Sequence, residues 1–333
     1  MSPVPVPRSP VSPSPGTRRV AAVDCGTNSL RLLVADVGTA PDGTAVLRDV
    51  ERRMRIVRLG EGVDATGEFA PGALHRTLAA VDEVDVLCRE HGVGAADVRF
   101  VATSATRDVA NRAVLVEGVR ERLGVEPEVV SGEEEAALSF SGATRELRGR
   151  FAEPFCVVDL GGGSTELVLG GARVDSARSV DVGSVRLTER HFRSDPPGPA
   201  EVAAARADVD AALGSVAADV PLQRTRTLVG VAGTVTTLTA AALDLPGYDS
   251  ARIHGAVLPV DVARAACERI LAMPREQRAA LPYLHPGRVD VIAAGALVWG
   301  AVLDRLAAAS GVVHVVTSEH DILDGIAFSV AER

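Results

Sequence analysis

The 333 residues carry 44 Asp and Glu against 35 basic side chains, and the resulting net charge of −9 argues against broad nucleic-acid binding. Every one of the 35 basic residues is arginine, so a Walker A loop, a protein-kinase strand lysine and Schiff-base chemistry are all excluded. Hydrophobic residues make up 47% and aromatics 3%, enough for two ordinary domains with cores of Val, Leu and Ala, and no run approaches the roughly 18 apolar residues of a membrane span.

In chain order, residues 1–17 space their prolines regularly and hold no continuous apolar segment, so they read as an extended tail rather than a secretory signal. "VAAVDCGTNSL" (20–30) is an apolar strand ending in Asp24, then a turn with Gly26, Thr27, Asn28 and Ser29, then a second apolar run: a β-hairpin. "ERRMRIVRLGEG" clusters Arg52, Arg53, Arg55 and Arg58, either as a charged strand edge or as a guide for a polyanion. "GALHRTLAAVDEVDVLCREHG" puts Leu74, Leu78, Val81 and Cys88 on one helical face, bracketed by Pro71 and Gly92. "DVRFVATSAT" is a buried strand leading to a loop, and "RDVANRAVLVEGVRERLG" a helix closed by Gly124, with Arg107 at its start.

"EPEVVSGEEEAAL" is a short strand and a helix start, where Ser131 and Glu134 have the spacing of a capping box. The pattern breaks at "SGATRELRGRF", which suggests an N-terminal unit over 18–140 and a C-terminal unit over 141–333. "CVVDLGGGSTEL" (156–167) then repeats the first hairpin 135 residues later: Asp24 aligns with Asp159, Gly26 with Gly161, Ser29 with Ser164 and Leu32 with Leu167. "AEVAAARADVDAALGSV" is a helix with Val202, Val209, Leu213 and Val216 inward. "RTLVGVAGTVTTLTAAAL" is strand, glycine turn and helix, "GRVDVIAAGALVWGAVLDRLAAASG" a long apolar helix, "VVHVVTS" a strand and "EHDILDGIAFSVAE" a last helix. Strands mixed with helices throughout give an α/β fold of two related halves.

The turns carry the chemistry. Glycines let backbone N–H groups crowd round an anion, and Thr27, Asn28, Ser29, Ser164 and Thr165 add donors beside Gly161, Gly162 and Gly163. Bare aspartates would repel a phosphate by roughly 4 kcal/mol at about 4 Å and an effective dielectric near 20. A hard divalent cation such as Mg²⁺ removes that conflict, which puts Asp24 and Asp159 on the metal side, with Glu166 as a third candidate. Gly233 and Thr234, at a strand-to-helix junction, suit another phosphate or a nucleoside. Arg107 is a candidate phosphate fork. Glu133, Glu134 and Glu135 all suit a helix N-terminus, and a carboxylate there is also placed to act as general base. The seven histidines form no H-E-x-x-H and no close pair along the chain, and no G-x-S-x-G occurs. Cys25, Cys88, Cys156 and Cys267 lie far apart and fit buried thiols of a reducing cytoplasm.

Taken together, "AAVDCGTNSLRLLVADV", "RLGEGVD", "VATSATRDVANR", "SGEEEAALSFSGA", "VVDLGGGSTELVLG", "VGSVRLTER", "GVAGTVTT" and "TSEHDILDGIA" resemble the exopolyphosphatase / guanosine pentaphosphate phosphohydrolase (Ppx/GppA) family from about Val20 onward. The resemblance implies two ribonuclease-H-like domains of the actin-like ATPase superfamily flanking an active-site cleft. It implies Mg²⁺-dependent release of terminal orthophosphate, with Glu135 as general base and Arg107 gripping phosphate. It gives phosphate-loop roles to Asn28, Ser29 and Gly161 to Thr165, and metal roles to Asp24, Asp159 and Glu166. It also implies a cytoplasmic homodimer, and a short form without the C-terminal helical domain of long members. The expected activity is end-directed hydrolysis of inorganic polyphosphate. The alternatives are a 5′-phosphohydrolase of guanosine pentaphosphate (pppGpp), a kinase or ATPase of the same superfamily, and a non-catalytic polyphosphate or nucleotide sensor.

Overall fold

The computed structural model describes residues 16–40, 45–107 and 109–333. Most of the expected proline-rich tail, residues 1–15, lies outside them.

The first sheet holds β1 (Arg18–Cys25), β2 (Ser29–Thr39), β3 (Ala45–Ile56), β4 (Val98–Ala102) and β5 (Glu128–Val129), in the order β3-β2-β1-β4-β5. β2 runs antiparallel to both β1 and β3, whereas β4 is parallel to β1 and β5 to β4. The second sheet holds β6 (Phe155–Leu160), β7 (Thr165–Gly170), β8 (Val174–Val180), β9 (Thr227–Val231), β10 (Val257–Pro259) and β11 (His314–Thr317), in the order β10-β11-β9-β6-β7-β8. Leaving aside the edge strand β10, this is the order of the first sheet over again. The eleven-residue likeness between the hairpins therefore extends to whole sheets.

Central strands are buried on both faces, which explains their continuous apolar runs. Along β1, Ala21, Val23 and Cys25 meet the core that contains Val81 and Leu115, while Val20 and Ala22 point to the opposite face and meet Ile322 and Ile326. β3 is the sheet's edge and carries Arg48, Arg52, Arg53 and Arg55, a charged edge, although Arg52 and Arg53 are consecutive and lie on opposite faces.

Two helices exchange places between the halves. The Gly132–Thr144 helix packs Ala136, Phe140 and Ala143 on the second sheet, against Val157, Val168 and Val229. The Ile322–Ala331 helix returns to the first sheet, placing Ile322, Ile326 and Ala327 over Val20 and Leu33. They cross backbone to backbone: a Cβ on Gly142 would lie 1.9 Å from the Asp321 carbonyl oxygen, and one on Gly325 would lie 2.0 Å from that of Leu138. The expected division at residues 140/141 falls inside the first of these helices.

Two expectations need correction. The helix expected over 107–124 begins only at Arg112 and runs to Leu123, with Gly124 in the left-handed region at its end, while Ser104–Arg107, mostly in the stretch expected as a loop, is a separate short helix. The Asn111 side chain, instead of continuing a helix, accepts from the Phe69 N–H at 2.9 Å and donates to its carbonyl at 3.0 Å. The Ile292–Ser310 helix is also long and apolar enough by length and composition to cross a membrane, contrary to the reading of no such run. In this fold Ala294, Leu297, Val298, Trp299 and Leu303 are buried in the second core. The four cysteines are free and buried, as expected of small core thiols.

Candidate active site

The two hairpin turns are built alike. The Gly26 N–H donates to the Ser29 carbonyl at 3.0 Å, and the Gly161 N–H donates to that of Ser164, also at 3.0 Å. They face each other closely. A Cβ on Gly162 would lie 3.1 Å from the Thr27 Cβ, and one on Gly163 would lie 2.7 Å from Thr27 Oγ1 and 2.8 Å from Ser104 Oγ. Only a bare backbone lets the second turn close on the first this tightly. Between them is a cavity of about 90 Å³. Its walls include Asp24, Gly26 to Ser29, Glu135, Asp159, Gly161 to Ser164, Gly233 and Thr234, so residues from three turns and one helix start converge.

Three expected site residues stand off the cavity wall. Thr165 is fully buried and its hydroxyl donates to the Val182 carbonyl at 2.5 Å, so that donor is already used. Glu166 sits on β7 directly across from Asp159 on β6, with Oε1 accepting from Ser179 Oγ at 2.6 Å. Arg107 reaches the site indirectly, its Nη1 lying 2.5 Å from Glu135 Oε2. Ser131 caps its helix by accepting from the Glu134 N–H at 3.1 Å, as its spacing indicates. The Glu134 carboxylate turns away to Arg99 at 2.7 Å, so the reciprocal half of the capping box is absent there.

The pseudo-repeat breaks in one telling place. The register pairs Asp24 with Arg31 in the first hairpin and Asp159 with Glu166 in the second. Arg31 donates to Asp24 Oδ2 at 2.7 Å and 2.9 Å and also pairs with Asp321. Asp159 faces a carboxylate instead, and its Oδ2 accepts from Ser139 Oγ at 2.6 Å. Burial, with Asp321 and Glu166 adding repulsion, pushes Asp159 up from its ordinary 3.8 to about 8. Burial also raises Glu166. Glu135 is raised well above the usual carboxylate range by burial and by Glu166, against the pull of Arg107. Asp24 is raised by burial despite Arg31.

All four carboxylates are buried; Asp24 is paired with Arg31 and Glu135 with Arg107, whereas Asp159 and Glu166 have no ion-pair partner among the described residues. Asp24 Oδ1 is buried and has no hydrogen-bond partner among the described residues. The donor set is all oxygen, which fits a hard divalent cation rather than a thiophilic one.

The third turn adds a residue that spacing alone does not mark. At the β9-to-helix junction Ala232 adopts φ 69°, a strained conformation for a residue with a side chain. The next carbonyl, that of Gly233, accepts from Arg288 Nη1 at 3.3 Å. Arg288 otherwise donates to Met54 Sδ at 3.3 Å, and it has no carboxylate partner among the described residues. It lines both the small cavity and an adjoining groove of about 470 Å³ that also takes in Arg52, Arg53, Tyr248 and Glu319. Arg52 and Arg53 have carboxylate partners in Asp324 and Glu51, and Arg55 and Arg58, which line neither space, are tied to Glu83 and Asp290.

The chain matches the model of the Ppx/GppA phosphatase family over residues 36–329. It is 51% identical over 319 residues to exopolyphosphatase 2 of Mycobacterium tuberculosis, covering 94% of this chain and 98% of that protein. Among solved structures, an exopolyphosphatase-like protein superposes with a TM-score of 0.90 at 43% identity, covering 96% of this chain and 99% of that one. The Aquifex aeolicus Ppx/GppA family member superposes with a TM-score of 0.75 at 30% identity, covering 95% of this chain and 97% of that one.

Proposed function

The chain belongs to the Ppx/GppA phosphatase family, and on that premise we propose how its cavity works. It has the two-domain actin-like fold of that family and is a hydrolase of phosphoanhydride bonds. The reaction is that of an exopolyphosphatase: water removes terminal orthophosphate from inorganic polyphosphate and leaves a chain one unit shorter. The likeness to exopolyphosphatase 2 favours polyphosphate over pppGpp.

The terminal phosphoryl group enters between the two turns, among the backbone groups of Gly26, Gly161, Gly162 and Gly163 and the side chains of Thr27, Asn28, Ser29 and Ser164. Arg107 leaves Glu135 to fork onto the phosphoryl oxygens. Glu135, freed, takes a proton from a water aligned with the breaking P–O bond. Arg288 holds the next phosphate at the junction with the larger groove. Asp24, Asp159 and Glu166 hold the divalent cation, which we take to be Mg²⁺. That ion supplies charge neutralisation between the carboxylates and the substrate oxygens. A cytoplasmic homodimer completes the reading, on the family resemblance alone.

The observation that supports this most is the convergence of both glycine turns and a buried, raised-pKa Glu135 on one cavity. A phosphate-release assay on short and long polyphosphate, pppGpp and ATP, each with and without Mg²⁺, tests it. Polyphosphate is expected to be the best substrate, with activity lost on chelation. Faster release from pppGpp overturns the substrate assignment, and binding of polyphosphate with no release from any of the four overturns the hydrolase.

A further inference from the structure

Away from the catalytic carboxylates, the fold brings together two histidines that lie far apart in sequence. Glu146 follows the Gly132–Thr144 helix, His254 ends the short Ser250–Ile253 helix, and His320 precedes the last helix. One ligand atom from each of the three lies within 4.8 Å of the others. Glu146 Oε2 is 3.1 Å from His254 Nε2 and 3.6 Å from His320 Nε2. The two rings meet edge to face, with centroids 4.7 Å apart at 81°, so the nitrogens converge on the carboxylate rather than stack past it.

A second shell is already present. His320 Nδ1 lies 2.8 Å from Asp324 Oδ1, the carboxylate-behind-imidazole arrangement that orients a metal-bound histidine. Asp324 is itself fixed by Arg52 at 2.6 Å and by the Asp321 N–H at 3.0 Å. Glu146 is exposed, which gives an ion a path in from solvent.

We propose that Glu146, His254 and His320 form a binding site for a borderline transition-metal dication, with Zn²⁺ as its representative, separate from the oxygen-only catalytic site. Two imidazoles and one carboxylate suit Zn²⁺ and leave a fourth position for water. A plain surface ion pair needs one histidine, whereas two turned onto one carboxylate oxygen repel each other once both are charged.

The site is wired to the substrate groove. His254 Nδ1 accepts from the Glu319 backbone N–H at 3.2 Å. A metal on Nε2 moves the ring proton to Nδ1, where it meets that N–H, and the Glu319 segment has to shift. Glu319 Oε1 accepts from the Tyr248 hydroxyl at 2.7 Å, and both side chains line the groove beside Arg288. Zn²⁺ therefore changes KM for polyphosphate more than kcat. This coupling rests on the proposed exopolyphosphatase reading, but the metal site itself does not.

The probe is Co²⁺, titrated into the full chain and followed by visible absorption. The intense d–d bands of a four-coordinate ion are expected at one equivalent per chain and to be displaced by Zn²⁺. They disappear in H254Q and in H320Q, and persist in D159N, whose change lies in the catalytic cavity. Thermal melts identify which variants fold; Gln at 254 keeps an acceptor for the Glu319 N–H, so H254Q carries the test if H320Q does not fold. Absence of the bands, their survival in the folded histidine variants, or their loss in D159N alone overturns the site. At saturating Mg²⁺, Zn²⁺ is expected to change KM about fivefold or more in the wild type and not in H254Q. An unchanged KM with Co²⁺ bound overturns the coupling, and loss of activity on all substrates without loss of the bands overturns only the exopolyphosphatase reading.

Discussion

Arg107 Nη1 lies 2.5 Å from Glu135 Oε2, and both side chains are more than four-fifths buried. Each of these groups has a role in the proposed reaction, and here they satisfy one another. Burial and Glu166 drive the Glu135 carboxyl toward its neutral form, and Arg107 opposes them. A phosphoryl group that draws the guanidinium away leaves Glu135 a stronger proton acceptor. Base strength is then coupled to site occupancy.

Glu135→Gln keeps the shape and removes the base. Turnover is expected to fall by about 10²–10⁴, with polyphosphate affinity nearly unchanged. Steady-state phosphate release together with direct binding to polyphosphate checks it. A variant that turns over normally takes Glu135 out of the mechanism.

Arg107→Ala has a distinct signature in pH. The guanidinium lowers the Glu135 pKa, so its removal raises that pKa further. The acidic limb of the kcat/KM profile is expected to move to higher pH, alongside a higher KM. An acidic limb that stays in place shows that Glu135 ionisation does not set it.

Arg288→Ala removes a cation that has no carboxylate partner among the described residues and that lines both cavities. A charge-assisted hydrogen bond contributes about 1.5–3 kcal/mol, so KM for polyphosphate is expected to rise about 10- to 100-fold with kcat changed much less. Equal loss in kcat and kcat/KM instead makes Arg288 a group that acts only on the transition state.

How much of this was legible in the sequence depends on range. The hairpins and the capping Ser131 are local, and local spacing found them; the Gly-to-Ser hydrogen bond that the two turns share came only with the structure. The meeting of the turns follows from two copies of one sheet. Arg31 was within reach, because the alignment that sets Asp24 on Asp159 also sets Arg31 on Glu166, and that charge reversal decides which aspartate lacks a cation. Arg288, Asp321 and the His254–His320 pair carry no local pattern; they reach their partners only through packing of elements far apart in sequence. The late start of the helix expected over 107–124 had the same cause, since Asn111 answers to Phe69 across the fold.

Asp159 gives a stability prediction. Its carboxyl rises from 3.8 to about 8 on folding without metal, so between those values the folded chain binds the proton more tightly than the unfolded chain. Its contribution is fully present below about pH 4 and is lost as pH rises through about 8. The chelated protein is therefore expected to lose Tm across this window relative to Asp159→Asn, which cannot ionise. Added Mg²⁺ is expected to flatten the profile by favouring the charged form. Parallel Tm profiles for chelated wild type and Asp159→Asn count against a buried, metal-free Asp159 as the origin.

The helix crossing provides the sharpest structural test. A methyl on Gly142 would lie 1.9 Å from a backbone oxygen, and one on Gly325 would lie 2.0 Å from another, so neither clash can be relieved by rotating a side chain. Overpacking usually costs about 1–3 kcal/mol, and contact with backbone puts these sites at or above the top of that range. Gly142→Ala and Gly325→Ala should each lower Tm. Gly142→Ala should also lower activity, because the Asp321 backbone it displaces carries the carboxylate that holds Arg31. Gly214 supplies the control: it lies in the Pro199–Val216 helix, is exposed, and a Cβ there meets nothing within 4 Å. Gly214→Ala should raise stability by about 0.5–1 kcal/mol through helix propensity alone. If Gly142→Ala and Gly325→Ala leave Tm unchanged or raise it as Gly214→Ala does, the backbone-to-backbone crossing, and with it the placement of Asp321 against Arg31, is wrong.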